Sequence, residues 1–277
     1  MSNEMESMNT TSTEAPIRLG THGENYGSWM SNSVFIIVIA GIIFSGLMTV
    51  VSFALFHIVF LGAVFLVITL GLMALLVLIT WVRRQYSFNG GQIMSKVHET
   101  ILSHMDYDGN GELLEVGCGS GALSIRCAKK WPNVRVTGID YWAAVYNYSQ
   151  ICCEKNALLE GVGARCHFQP GDARSLDFED EHFDAVISNY VYHNITGVDR
   201  QDLLLESLRV LKKGGVFALN DSMKPLLYGD MEEFAQNLRN MGYEDVQLID
   251  TAKEVFGSGF RAKLMFLPHS TLLVGRK

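Results

Sequence analysis

The residues with the types and spacing to do chemistry fall into a few clusters. One is Glu112-Leu-Leu-Glu115-Val-Gly117-Cys118-Gly119-Ser-Gly121. Apolar residues run into glycines at alternate positions, and a helical pattern of Ala122, Leu123, Ile125 and Ala128 follows. That reads as a buried strand, a tight turn and a helix. Glycines in such a turn let the backbone approach a ligand. Glu115 sits near the strand's carboxyl end, where open α/β sheets bind ligands. Asp140 ends the next strand, Val134–Asp140. A carboxylate there can accept two ribose hydroxyl hydrogen bonds, and its charge would repel a ribose phosphate. A further cluster, Asn189-Tyr190-Val191-Tyr192-His193-Asn194, follows the apolar strand Phe183–Ser188. Its His193 and Tyr190 are side chains able to take or hold a proton.

The glycine spacing separates cofactor classes. A dinucleotide fingerprint reads G-x-G-x-x-G, whereas this chain reads E-x-G-x-G-x-G. From about Met94 to Lys277 the chain resembles a class I S-adenosylmethionine-dependent methyltransferase. Glu115–Gly121 matches that family's first motif, and Asp140 matches its ribose acid. Gly171-Asp172-Ala173 matches the adenine-reading segment, Phe183–Asn189 the fourth strand, and Leu208–Gly215 the turn before the fifth. The resemblance implies an α/β fold, a Rossmann-like seven-stranded methyltransferase sheet flanked by helices. It implies S-adenosyl-L-methionine as cofactor, held by Glu115, Gly117, Cys118, Gly119, Gly121, Asp140, Tyr141, Asp172, Ala173 and Asn189. Tyr141 would pack on adenine or ribose. Asp172 would accept from the adenine amino group, with the Ala173 N–H facing a ring nitrogen. Residues past the fourth strand face the transferring methyl in this family, which makes His193 and Tyr190 the catalytic candidates. A hydrophobic lid without a chemical role is the alternative for these aromatics. If the segment stays extended, Tyr190 and Tyr192 alternate about Val191, so at most one need face the pocket.

Methyl transfer from a sulfonium is an in-line displacement. The protein mainly positions the nucleophile and excludes water. A base is needed only where the nucleophile starts protonated. No His/Asp/Glu cluster has metal-ligand spacing, so no metal site is expected. Asp106-Tyr-Asp108-Gly-Asn110-Gly111 fits the first half of a calcium loop. The twelfth position would be Gly117 rather than a bidentate Glu, so the segment reads as a turn before the first strand.

Upstream of this domain the composition changes. Val34 through Val82 contains no Asp, Glu, Lys or Arg. A single helix over that run would be about 73 Å long, more than twice a bilayer core of about 30 Å. Two spans are expected, about Val34–Phe56 and about Ile58–Val82, with a short turn near His57. Trp81, Arg83, Arg84 and Tyr86 close the second span and mark its cytosolic side, while Tyr26 and Trp29 suit the interface before the first. The expected division is a flexible tail at 1–32, a transmembrane hairpin at 33–83 and the methyltransferase domain at 84–277. The catalytic domain would then lie on the cytosolic side, in keeping with five cysteines that form neither C-x-x-C nor a metal pattern.

The net charge of −7 argues against a nucleic-acid partner. The expected partners are the lipid bilayer and a lipid or other hydrophobic acceptor such as a sterol, a prenylated quinone or a phospholipid head group. The alternatives are a soluble acceptor, or a cofactor-binding partner without turnover. Gln92–Met105 carries an amphipathic stripe that suits core packing, with cofactor cover or membrane contact as alternatives. Trp142–Leu159, Asp199–Leu211 and Met231–Met241 read as helices. Arg165–Gln169, Gly215–Asn220, Asp245–Ile249, about Arg261–Leu267 and Thr271–Gly275 read as strands, and Asp221–Asp230 as a loop. Thr271–Gly275 is the candidate for the family's antiparallel last strand.

Overall fold

The computed structural model describes residues 18–27, 30–55, 57–142 and 148–277. Residues 1–17 and 28–29 of the expected tail, Phe56 and residues 143–147 of the expected Trp142–Leu159 helix lie outside them.

The first elements are helices α1 (Asn32–Val50) and α2 (Val59–Tyr86). The side chain of Ser31 caps α1 by accepting from the Ser33 N–H. A wider turn over Val51–Leu55 ends α1, and His57 turns the chain in the left-handed region at φ 53°. The turn therefore falls where the sequence placed it. The helices pack on each other at small residues: Gly41 meets Leu72, and Gly62 meets Phe53. Thr69 Oγ1 donates to Ser45 Oγ at 2.8 Å across the pair. Their outer residues, including Ile37, Phe60 and Val77, are exposed. Only 11% and 17% of the most apolar stretches of the two helices are buried. Both helices are long and apolar enough to cross a membrane. α2 runs past the expected boundary at residue 83, and the Tyr86 hydroxyl donates to the Met265 carbonyl at 2.7 Å.

The rest of the chain follows as α3 (Ile93–Ser103), β1 (Gly111–Val116), α4 (Ala122–Lys130), β2 (Val134–Asp140), α5 (Gln150–Leu159) and β3 (Cys166–Pro170). Next come β4 (Phe183–Asn189), α6 (Arg200–Arg209), β5 (Leu211–Ser222), α7 (Pro225–Tyr228) and α8 (Met231–Asn240). β6 (Glu244–Ile249), α9 (Thr251–Phe256), α10 (Gly259–Leu264) and β7 (Ser270–Arg276) complete it. The sheet has seven strands in the order β3-β2-β1-β4-β5-β7-β6. β1 to β5 are mutually parallel, and β7 runs antiparallel between β5 and β6. The strands from β1 and β4 onward leave in opposite directions, so the carboxyl end of β1 is the switch point where such sheets bind ligands. Apolar clusters cover both faces, which is why β1 and β4 read as nearly continuous apolar runs.

The structure corrects several expectations. Arg261–Leu267 is not a strand: Ser258 caps a helix there, accepting from the Arg261 N–H, and Arg-Ala-Lys-Leu are good helix formers. The helix expected from Trp142 is described from Gln150, where the Ser149 side chain accepts from the Cys152 N–H. Asp221 belongs to β5 rather than to a loop, because β5 stays paired with β7 as far as Ser222. Asp106–Gly111 forms the expected turn, with Asp108 Oδ1 accepting from the Asn110 N–H. α3 packs into the core through Val97 and Ile101.

The expected flexible tail does not extend to residues 18–27. Glu160 Oε1 accepts from the Gly20 N–H and the Tyr26 hydroxyl, at 2.9 and 3.1 Å. Asn25 and Asn156 exchange hydrogen bonds, each 2.9 Å, and Lys129 neutralises Glu160. The segment is strapped to α5 and its C-terminal cap ahead of α1.

Glu115 joins β1 to α4. Its Oε2 accepts from the Ser124 N–H at 2.7 Å and from the Ser124 hydroxyl. Burial pushes its pKa up from 4.5 to about 8. The folded chain thus keeps a proton that the unfolded chain releases, so this contribution to stability is full below about pH 4.5 and is lost as pH rises through about 8. Thermal unfolding in detergent micelles is expected to show falling stability from pH 5 to pH 9. Glu115→Gln should flatten that fall by at least ~1 kcal/mol, since one pKa unit is worth about 1.4 kcal/mol. An unchanged profile in the variant would assign the slope elsewhere.

Candidate active site

A cavity of about 720 Å³ opens at the carboxyl ends of β1, β2 and β4. Its lining includes Glu115, Gly117, Cys118, Gly119, Asp140, Tyr141, Asp172, Ala173, Asn189, Tyr190 and His193. Gly121 does not line it. This glycine caps α4 at φ 80°, and a Cβ there would stand 3.0 Å from the Phe168 ring, so its role is to seat α4 on β3.

The glycine turn is held from β2. The N–H groups of Gly117 and Cys118 both donate to the Ile139 carbonyl, at 2.8 and 2.9 Å. The Gly119 N–H donates to Asp140 Oδ2 at 2.8 Å, and the Trp142 N–H to Asp140 Oδ1 at 2.7 Å. The Trp142 indole closes the loop by donating to the Gly119 carbonyl at 2.9 Å. The Asp140 carboxylate is thus held by backbone N–H groups at the cavity wall, where an oxygen can still take a further hydroxyl. Burial pushes the Asp140 pKa up, against the pull of the Trp142 and Gly119 N–H groups. Burial also pushes the Cys118 thiol well up, keeping it protonated.

Asp172 stands at the same rim, but its carboxylate is forked by Arg174. Nε donates to both oxygens, at 3.0 and 2.9 Å. That pairing holds Asp172 below the usual carboxylate range. A planar cation at this position was not foreseen from the sequence. Tyr141 is exposed beside the cavity, and Ala173 is buried in its wall.

Past β4 the chain does not stay extended. Tyr190 takes φ 57° and residues 192–194 form a tight helical turn, which splits the aromatics. Tyr192 is buried with its hydroxyl on Ser207 at 2.8 Å, away from the cavity. Tyr190 lines the cavity, but its hydroxyl bonds Ser270 Oγ at 2.6 Å. Burial pushes its pKa up to about 12, which favours the protonated hydroxyl. Ser270 bonds Thr251, Thr251 donates to Asn220, and Asn220 donates to Asn189 Oδ1 at 2.9 Å. Asn189 is thereby oriented, its amide reaching the Met94 sulfur.

His193 meets a buried carboxylate at the cavity edge. Its Nδ1 pairs with Asp221 Oδ1, and its N–H donates to Asp221 Oδ2 at 3.2 Å. The Asp221 side chain is fully buried. With Nδ1 engaged by this carboxylate, Nε2 is the nitrogen left to accept, and His193 lines the cavity. The sequence reading missed Asp221. The available signal was a carboxylate at the carboxyl end of a parallel strand, as at Asp140.

A seven-stranded sheet of this topology with an E-x-G-x-G-x-G turn defines a class I methyltransferase fold. Residues 114–219 match the family model described as methyltransferase domain. The C-terminal part of the chain is therefore an S-adenosylmethionine-dependent methyltransferase domain. An uncharacterized protein of Haemophilus influenzae is 29% identical over 181 residues, covering 64% of this chain and 69% of its own. The sterol 4-C-methyltransferase strm-1 of Caenorhabditis elegans is 28% identical, covering 55% of this chain and 43% of its own. A demethylmenaquinone methyltransferase of Staphylococcus aureus is 33% identical, covering 46% and 49%. The chain thus spans under half the length of the latter two relatives. Among solved structures, the [4+2]-cyclase SpnF superposes with a TM-score of 0.52 at 21% identity, covering 66% of this chain and 80% of its own. Geranyl diphosphate C-methyltransferase from Streptomyces coelicolor A3(2) gives 0.51 at 16%, covering 66% and 79%. These likenesses show the fold.

The turn also fixes how closely β1 and β4 approach. A Cβ at Gly117 would lie 2.1 Å from Val191 Cγ2, at a φ of 76°. Gly117→Ala is expected to destabilise the domain by about 2–4 kcal/mol, combining overpacking with left-handed strain. Adding Val191→Ala should recover the steric share and leave about 1–2 kcal/mol. Full recovery in thermal unfolding would show that the backbone tolerates alanine there.

Proposed function

We propose that this chain is a membrane-anchored methyltransferase that transfers a methyl group to a lipid or other hydrophobic acceptor. The observation that carries the reading is the exposure of α1 and α2: apolar along their length, they bury only each other and the edge of the domain. Helices of a soluble core would be covered; helices in a bilayer need not be. Arg83 and Arg84 at the end of α2 support a cytosolic position for the domain. The two relatives named for a sterol and for demethylmenaquinone favour an acceptor that resides in the membrane.

S-Adenosylmethionine supplies an activated methyl on a sulfonium, which leaves the protein to bind, orient and exclude water. Asp140 takes the ribose hydroxyls through the lone pairs that face the cavity. The Gly117–Gly119 backbone presents no side chain, so the donor can lie close against β1. Tyr141, Ala173 and the Asp172–Arg174 pair form the adenine side, where Asp172 would share its carboxylate between the guanidinium and an amino group. Glu115 supports this indirectly, since its Oε2 is engaged by Ser124 at the head of α4.

His193 serves as general base toward an acceptor that starts protonated. Its Nε2 accepts the acceptor's proton as the methyl bond forms, and Asp221 stabilises the resulting imidazolium. Tyr190 stays protonated and shapes the wall behind it. A base held this firmly suits a hydroxyl, or a carbon activated by loss of a hydroxyl proton.

Membranes carrying the chain and methyl-labelled S-adenosylmethionine are expected to give label in the organic extract. Asp140→Ala should lower that label by weakening cofactor binding about 10-fold or more. Label confined to the aqueous or protein fraction would sink the lipid reading. Asp221→Asn keeps the shape but removes the charge behind His193. It should lower the turnover of that transfer ~100-fold or more, with cofactor affinity unchanged in a binding titration. Equal turnover in the variant would remove His193 from the role of base.

A further inference from the structure

The cavity does not end with the groups already described. It continues to the base of the apolar helix pair, where its lining includes Met30 and Val34 at the start of α1, and Arg83 and Tyr86 at the end of α2. Met94 and His98 of α3 form the inner wall there. The same continuous space therefore touches both the end of β2, where Asp140 sits, and the first turn of a helix whose outer face is apolar and exposed.

A second observation points to a ligand at this end. His98 is buried, and its Nδ1 has no hydrogen-bond partner among the described residues. Its ring packs on Phe88 with centroids 5.6 Å apart. Burial, with Arg126 nearby, holds His98 well below the ordinary histidine range, so the imidazole is neutral and can either donate or accept. Buried polar atoms are normally satisfied, and one left open in a cavity wall is a place for a ligand's polar atom. Arg83 stands at the mouth with Nη1 on the Asn32 side chain at 3.0 Å and its guanidinium 5.0 Å from the Phe35 ring centroid.

We propose that this half of the cavity is an acceptor compartment that opens toward the bilayer between the start of α1 and the end of α2. Its occupant is a membrane-borne amphiphile with one polar head and an apolar tail. The head enters past Arg83, hydrogen-bonds His98 and advances toward His193, while the tail stays along Val34 among the lipid chains. The proposal rests on the reading of α1 and α2 as a membrane anchor. It assigns the entrance to the anchor itself, so the two apolar helices are part of the substrate path as well as a tether. The strap at residues 18–27 forms part of the same wall: Tyr26 and Gly27 line the cavity, and the Tyr26 ring lies 4.9 Å from that of Phe88, which packs on His98.

The test uses the full chain in phosphatidylcholine nanodiscs containing diazirine-bearing stearic acid, with S-adenosylhomocysteine present. After irradiation, adducts are mapped by peptide mass spectrometry. The expected result is label on the α3 peptide carrying Met94 and His98, together with label on the outer residues Ile37 and Phe60. Val34→Trp should narrow the mouth. It is expected to lower the α3 adduct about tenfold, as a lost binding contact would, with outer label and S-adenosylhomocysteine affinity unchanged. Outer label without α3 label overturns the compartment and leaves the anchor standing. An α3 adduct that Val34→Trp leaves unchanged overturns the entrance. Absence of label on α1 and α2 overturns the anchor, and the entrance with it.

Discussion

The structure turns on one carboxylate. Asp140 takes the Gly119 N–H on one oxygen and the Trp142 N–H on the other, and so ties the glycine turn after β1 to the end of β2. The same turn gives its Gly117 and Cys118 N–H groups to Ile139. A peptide loop at the sheet's switch point would otherwise expose these donors to the ligand or to water. Spent on β2, they leave a bare backbone surface with the Asp140 carboxylate at its edge. Fit to the donor and stability of the fold are therefore the same set of hydrogen bonds, and a change in either reaches the other.

A second polar network works the other side of the cavity. Tyr190, Ser270, Thr251, Asn220 and Asn189 are linked through buried hydrogen bonds that cross from β4 to β5 and β7. Such a network is costly if half made and rigid if complete. Here it pins the left-handed turn at Tyr190, which in turn swings His193 back over the end of β5 to meet Asp221. The antiparallel β7 is part of this: it extends β5's pairing to Ser222, which carries Asp221 into the sheet and buries its carboxylate.

The N-terminal helices are joined to this domain at more than a linker. Tyr86 bonds the Met265 carbonyl, and the strap before α1 is held to Glu160 and Asn156 on the far side of the cavity. The chain thus wraps the site before it enters the helix pair and returns to it on leaving. A helix pair attached at both ends holds its orientation to the domain far more tightly than a flexible tether would.

Much of this was legible in the sequence. Alternation into Glu115–Gly121, the acid at Asp140 and the uncharged run from Val34 to Val82 are local patterns, set by the periods of strands and helices. The helix at Gly259–Leu264 was misread because a short apolar run has no length from which to judge its period. Arg174 and His98 carried no local signal, and Asp221 carried only that of an acid at a strand's end. Asp221 meets His193 only because β4 and β5 pair with Asn189 opposite Asn220, a register set by packing across a crossover helix. His98 faces the cavity only because α3 is folded back beneath the end of α2. The sequence by itself determined the chemistry available and the elements that bear it. Which side chains meet was decided by the tertiary structure, because strand register and helix docking arise from contacts between segments far apart in the chain.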